Sequence, residues 1–377
     1  MPETSPQKFS PLHPVHVAGG ASFTDFAGWQ MPVRYTSDLA EHHAVRSSAG
    51  IFDLSHMAEI LVSGPDAPAF LDYALAGKLS AIANVQAKYS LLLADTGGII
   101  DDVVVYRLAD RSFLMVANAG NRIAAVTALM ERATEFEVTV TDKSDDYALI
   151  AVQGPKAQAI LSATAEITDW AVPLAELRYY RSTDAVFQGA PLLVARTGYT
   201  GEDGVEVYLP PDAAARLWHA IIAAGGSDLI PAGLASRDTL RLEAGMPLYG
   251  HELNLHTYPV QAGLGRVVAL NKAGDFVGRA AVESGPPIDS RVLVGVAAPG
   301  KRAGRAGYAV FNGADADAIE VGAITSGALS PTLGHPIAMA FVDPASAEIG
   351  TALWLDVRGI RIPAQVVPLP FYTRKTK

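Results

Sequence analysis

The chain reads as an α+β protein: two pseudo-duplicated α/β (ferredoxin-like) layers followed by a C-terminal antiparallel β-barrel-like domain. Three observations predict this. Val62-Ser63-Gly64-Pro65-Asp66-Ala67-Pro68-Ala69-Phe70-Leu71 returns at an offset of 90 residues as Val152-Gln153-Gly154-Pro155-Lys156-Ala157-Gln158-Ala159-Ile160-Leu161. The stretches that follow each copy also echo one another. From Arg291 onward the pattern changes to short β-prone runs cut by Gly and Pro.

In each copy a β-branched run ends at Gly, Pro takes a position suited to the first helical turn, and apolar residues follow at helical spacing. That is strand, turn, helix. The run 113–118 then leads into a helical pattern over 122–133, and 205–209 leads through Pro210-Pro211 into one over 213–224. Two strand-helix-strand-strand-helix copies predict two related layers, and a cleft between such copies is a common place for a ligand. Two copies are too few for a solenoid. In the last third, strands are expected at 292–297, 308–311, 320–324, 337–341, 352–357 and 362–367, the signature of an antiparallel β domain. Its boundary is placed in Ser284-Gly285-Pro286-Pro287. Residues 1–57 with 148–241 are expected as one domain, 58–147 with 242–284 as a second that carries Asp101, and 285–377 as a third. A chain of 377 residues, 50% apolar, supports that many cores of roughly 100 to 150 residues each.

Composition narrows the function. No apolar run is long enough to span a bilayer, and Met1-Pro2-Glu3-Thr4-Ser5 lacks a charged region followed by a hydrophobic one, so a cytoplasmic protein without a membrane partner is expected. A formal charge of −10 argues against a nucleic-acid surface, which needs clustered Lys and Arg to displace counterions. With no cysteine, disulfides, thiolate ligation and cysteine nucleophiles are excluded together, and any sulfur chemistry comes from the substrate. Glu41-His42-His43 and His56 invite a metal. Adjacent helical residues point about 100° apart, however, and no third ligand is spaced for zinc, so no metal is expected. Gly263-Leu264-Gly265 lacks a third glycine and a βαβ setting, so neither is a nucleotide.

Gly97-Gly98-Ile99-Ile100-Asp101-Asp102-Val103-Val104-Val105-Tyr106 sets two adjacent carboxylates at the mouth of an otherwise apolar strand. The Gly pair reads as a hairpin turn, and alternation sends at least one of Asp101 and Asp102 toward an interior or a cleft. Burying a carboxylate without a partner costs several kcal/mol, roughly, so a cation, a donor or a ligand must meet it. Taken alone, the segment also fits two turn carboxylates in water.

Asp53-Leu54-Ser55-His56-Met57, Arg196-Thr197-Gly198-Tyr199-Thr200-Gly201-Glu202-Asp203-Gly204-Val205-Glu206 and Gly233-Leu234-Ala235-Ser236-Arg237-Asp238-Thr239-Leu240-Arg241-Leu242-Glu243-Ala244-Gly245-Met246 complete the pattern. Together with Asp101 they make the chain resemble the aminomethyltransferase (T-protein) family of the glycine cleavage system. The resemblance runs from Phe26-Ala27-Gly28-Trp29 and Glu41-His42-His43-Ala44-Val45-Arg46 to Thr325-Ser326-Gly327 and Ser330-Pro331-Thr332-Leu333-Gly334. It implies three domains around a central folate cleft. It also implies transfer of a one-carbon unit from an aminomethyl group on the lipoyl arm of the H-protein to tetrahydrofolate, giving 5,10-methylenetetrahydrofolate and ammonia.

By the same resemblance, Asp101 is the essential carboxylate and Glu206 accepts the donors along the pterin edge. On pattern alone Glu206, between Val205 and Val207, fits a solvent-facing acid. Tyr199 belongs to the folate pocket, or to a turn that covers the core. Arg237 opens a helix, and its fork suits a glutamate carboxylate or an ion pair with Asp238 or Glu243. Met57, Val116 and Asn118 match pocket-lining positions, while Met57 and Val116 fit plain core equally well. Arg305 lies in a basic loop placed near the folate tail, a pattern that by itself reads as a solvated face. Arg266 stands where many members carry an aromatic residue, which changes the pterin sandwich. Glu252-Leu253-Asn254-Leu255-His256-Thr257 departs from an acid-rich version. Lys301 and Arg302 are the expected landing place for lipoylated H-protein. Two other activities fit the same fold: a folate-dependent demethylase of a small methylated donor, and a non-catalytic folate-binding assembly factor. The second carries a Lys-Gly-Cys signature that a chain without cysteine cannot hold.

Overall fold

Apolar alternation builds two sheets with related strand orders. The computed structural model describes residues 7–374, so residues 1–5, read above for a targeting segment, lie outside the described residues. In the first repeat the chain runs Ala58–Ser63, helix Ala67–Ala74, strands Gln86–Leu93, Ile99–Ala109 and Ser112–Ala117, helix Arg122–Arg132 and strand Thr139–Asp142. In the second it runs Ala148–Gln153, helix Ala157–Ala163, strands Ser182–Phe187, Ala190–Ala195 and Gly204–Leu209, helix Ala214–Gly225 and strand Leu229–Pro231. The duplication is therefore real but richer than expected, since three principal strands, not two, separate the helices. The first-copy sheet has the order Gln86–Leu93, Ile99–Ala109, Ser112–Ala117, Ala58–Ser63, Thr139–Asp142. Equivalent strands keep that order in the second sheet, with Ala49–Asp53 inserted before Leu229–Pro231 and Ile167–Thr168 added at the far edge.

The repeated Gly-Pro has one physical cause in both copies. Gly64 and Gly154 have φ of +141° and +130°, and a Cβ on either would lie 2.4 Å from a carbonyl oxygen, that of Glu137 or Ser48. No other residue type fits such a close backbone approach. The prolines lie in the turn, two residues ahead of helices that begin at Ala67 and Ala157, and not in the first helical turn itself. The second sheet buries Ile51, Ile150, Val152, Val194, Val205 and Val207 against Leu161, Leu217 and Trp218 of its helices.

All six C-terminal strands form, as Val292–Ala297, Ala309–Phe311, Glu320–Leu329, Pro336–Val342, Ala352–Val357 and Ile360–Val367. They close into an antiparallel barrel around Val296, Val310, Ala340 and Leu353. The third strand runs on to Leu329 because a register shift between Ile324 and Ser326 lets its ladder resume. A three-stranded sheet of Lys8–Phe9, Trp29–Arg34 and Ser22–Phe26 was not expected from the sequence.

The chain divides into two compact units. The first holds the residues up to Leu71 with Leu79–Tyr89 and Val103–Asp238; the second holds Asp72–Lys78, Ser90–Asp102 and Thr239–Lys377. Among the described residues no helix is long and apolar enough to cross a membrane.

Candidate functional site

In the first unit the site grows from the strand Gly204–Leu209. Val205 and Val207 are buried and Glu206 is half-buried, so the alternation turns the carboxylate away from the core. It is not simply in water. Thr197 Oγ1 donates to Glu206 Oε2 at 2.5 Å, and Tyr106 OH lies 3.0 Å from Thr197 Oγ1 and 3.5 Å from the carboxylate. Tyr208 OH donates to Tyr106 OH at 3.2 Å. Burial pushes both phenols well above their ordinary range, and for Tyr106 the charge of Glu206 adds to it.

Arg237 lies in the helix Leu234–Glu243, as expected. Its guanidinium carbon stands 4.9 Å from the centre of the Tyr199 ring, and its Nη1 is buried without a hydrogen-bond partner. Burial lowers its pKa, opposed by the nearby Glu206. The orphaned donor asks for an acceptor that the described chain does not supply. Met57 precedes Ala58 and Asn118 follows Ala117, and the register Ala58↔Ala117 sets them side by side at one end of their ladder. Both are half-buried, whereas Val116 is buried in the strand.

The charged residues of the same motifs mostly hold the frame. Arg196 pairs with Asp203 at 2.9 Å, and Arg46 with Glu202 at 3.1 Å, pinning both sides of the loop that carries Tyr199. Gln153, legible only as part of the repeat, donates to Thr197 O at 3.1 Å and accepts from Thr200 Oγ1 at 2.9 Å. Glu41 accepts from the backbone N–H groups of Tyr35 and Gly233. Asp53 accepts from Ser10 Oγ, from His16 Nε2 at 2.8 Å and from the Ser55 N–H at 2.9 Å. Burial raises its pKa, but these partners outweigh burial and hold it below the usual carboxylate range. His56 is buried with Nδ1 unpartnered, and burial pulls it down to about 4, with Asp53 opposing and Arg237 assisting. It is neutral at neutral pH.

In the second unit the turn behaves as the Gly pair predicts. Gly97 has φ of +85°, and a Cβ on Gly98 would lie 1.8 Å from Leu255 O, so only glycine admits this approach. The strand start is held by Ile99 N–H donating to Asn254 O at 3.1 Å and Tyr249 OH donating to Ile99 O at 3.2 Å. Asp101 is 0% exposed and Asp102 half-buried. Burial raises the Tyr249 phenol, and the charges of Asp101 and Asp102 raise it further. Tyr249 was not anticipated, because nothing in its local sequence marks it.

Of the remaining basic residues, Arg266, Lys301, Arg302 and Arg305 are exposed. Lys301 Nζ donates to Gly334 O at 2.7 Å and Arg305 Nη1 to Gly327 O at 3.2 Å, which ties their loop to the two late motifs. Those motifs are themselves anchored. Arg241 is buried and donates to Glu252 at 3.1 Å and Ser326 Oγ at 2.8 Å. Glu243, one ion-pair partner considered for Arg237, accepts from Ser330 Oγ, Thr332 N–H and Thr332 Oγ1. Among the described residues no three His, Asp or Glu side chains gather as a metal group.

Comparison with known proteins agrees with this architecture. The family description "GCVT N-terminal domain" matches residues 12–272, and "Glycine cleavage T-protein C-terminal barrel domain" matches residues 291–373. An aminomethyltransferase of Cutibacterium acnes is 61% identical over 97% of this chain and 98% of its own. One of Saccharopolyspora erythraea is 52% identical over 98% and 99%. The crystal structure of glycine cleavage system aminomethyltransferase T from Bartonella henselae matches with a TM-score of 0.88 at 38% identity, over 97% of this chain and 98% of that one. The chain belongs to the aminomethyltransferase (T-protein) family of the glycine cleavage system and is a transferase.

Proposed function

We propose that the protein moves the methylene of the S-aminomethyldihydrolipoyl group of H-protein onto tetrahydrofolate, releasing ammonia and dihydrolipoyl H-protein. In the balanced reaction the carbon gains bonds to N5 and N10 of the folate and loses its bonds to the amine nitrogen and to sulfur. The two N–H protons leave with ammonia and the thiol. The observation that carries this reading is the half-buried Glu206 beside a buried, unsatisfied Arg237 Nη1 and the Tyr199 ring. A flat ligand with donors along one edge and an anionic tail meets each of those needs.

Asp101 is proposed to orient the folate and stabilise cationic character as carbon–nitrogen bonds exchange. Its complete burial at a strand mouth supports a role that needs low dielectric. Met57, Val116 and Asn118 are proposed to line the pterin, and Arg266 and Arg305 to meet the folate further out. Lys301 and Arg302 are proposed to receive the carrier. The reading includes a cytoplasmic location, no metal or nucleotide, no nucleic-acid or membrane partner, and the three-domain division at 57/58, 147/148, 241/242 and 284/285.

The test is formation of methylenetetrahydrofolate with lipoylated H-protein, run beside small sulfonium and methylamine donors. Asp101→Asn keeps the shape and removes the charge, so turnover should fall by roughly 100-fold or more at saturating folate. Near-wild-type turnover would remove the electrostatic role. Activity with small donors alone would replace the transferase reading with a demethylase.

A further inference from the structure

We propose that Thr197, backed by Tyr106 and Tyr208, is a positioning residue that aims the Glu206 carboxylate through a one-way chain of hydroxyl protons, leaving Oε1 for the ligand. The inference rests on the proposed role of Glu206 in folate binding.

A carboxylate only accepts, so the Thr197 hydroxyl, 2.5 Å from Glu206 Oε2, must spend its single proton there. Its oxygen is then free to accept from Tyr106 OH at 3.0 Å. Tyr106 OH in turn accepts from Tyr208 OH at 3.2 Å. Every hydrogen bond points toward the carboxylate. Tyr106, Thr197 and Tyr208 are all buried, so the chain exchanges no member with water, and such chains polarise one another. Burial keeps both phenols protonated across the working pH range, so the direction does not reverse.

The geometry also fixes where Thr197 sits. Gln153 holds its carbonyl, and Gly198 and Gly204 pack so tightly on the Gln153 amide that a Cβ on either would come within 2.0 and 2.4 Å of it. Thr197 is therefore anchored on its backbone side and directed on its hydroxyl side. Among the described residues the hydrogen bonds to Glu206 fall on Oε2, which leaves Oε1 as the oxygen presented to ligand donors. The four hydroxyl and carboxyl groups come from one strand of one sheet, the loop before it and a strand of the other sheet. No local pattern could show this.

The test uses the full chain and anaerobic titration with tetrahydrofolate. Thr197→Val, which keeps the shape and removes the hydroxyl, should weaken binding about tenfold. Thr197→Ser should restore binding to within about twofold, and Tyr106→Phe should weaken it by roughly threefold. The KM for H-protein should stay unchanged in all three. The deciding measurement is the double variant: in a Glu206→Gln background, Thr197→Val should add less than about twofold, because it acts through the carboxylate. If Thr197→Val weakens binding equally in both backgrounds, or leaves it unchanged while Glu206→Gln weakens it, the positioning role is wrong and the role of Glu206 stands. If Glu206→Gln itself leaves binding unchanged, the reading beneath the proposal fails and the proposal goes with it. Should Thr197→Val not fold, Tyr106→Phe in the two backgrounds decides by the same criterion.

Discussion

His56 shows how an ordinary residue acquires a pH signature from its surroundings. Unfolded it titrates near 6.5, and in the fold burial brings it to about 4. Between those values the unfolded chain binds more protons than the native one, so stability rises with pH across that window. The contribution is complete above about pH 6.5 and is lost as pH falls toward 4. It amounts to on the order of 3 kcal/mol, since each pKa unit is worth about 1.4 kcal/mol. Replacing His56 with Gln should flatten this part of the stability profile, measured by urea midpoints from pH 7 to 4.5. A variant curve running parallel to the wild type would show that other groups carry the acid sensitivity. The same motif shows what was legible at this scale. Its string of residues carried the family resemblance, while the frame role of Asp53 came only with Ser10 and His16, far from it in sequence.

Among the elements, the repeated strand-turn-helix unit is the most informative because its two copies solve one steric problem twice. Alanine at Gly154 or Gly64 meets a carbonyl oxygen at 2.4 Å and a φ that L-residues avoid. Each substitution should cost at least about 2 kcal/mol. Gly189 also has a positive φ, +86°, but nothing lies within 4 Å of its Cβ direction, so Gly189→Ala should cost only about 1 kcal/mol. Equal losses at Gly154 and Gly189 in denaturant melts would attribute the repeat to backbone conformation alone. Helix Leu234–Glu243 teaches the complementary lesson. Its start was visible after Gly233, yet the buried Arg241–Glu252 pair within the second unit was not. Breaking such a pair typically costs about 3 to 5 kcal/mol, because it strands a buried charge.

For the whole molecule, the proposed receipt of a carrier protein by a chain of net charge −10 calls for a locally basic entrance. Lys301 and Arg302 are exposed at the start of the barrel unit. Contacts between exposed charges are screened over about 8 to 10 Å at physiological salt, so such a loop acts chiefly on encounter. Replacing both with Ala should raise the KM for H-protein roughly threefold to tenfold at low salt, less at high salt, and leave tetrahydrofolate affinity alone. Lost folate affinity with unchanged H-protein kinetics would move the loop into the binding pocket.

The sequence by itself determined what depends on near neighbours: the duplicated unit, the Gly97-Gly98 turn, the six barrel strands and the family. Each of these is written in alternation, helical spacing or a fixed string of residues. Only the tertiary structure decided which polar groups meet. Tyr106 reaches Thr197 across 91 positions, Arg241 finds Ser326 across 85, and His16 finds Asp53 across 37. It also decided that His56 is neutral and that Arg237 keeps an unsatisfied donor. Desolvation and hydrogen bonding depend on everything packed around a group, and packing joins segments that share no local pattern.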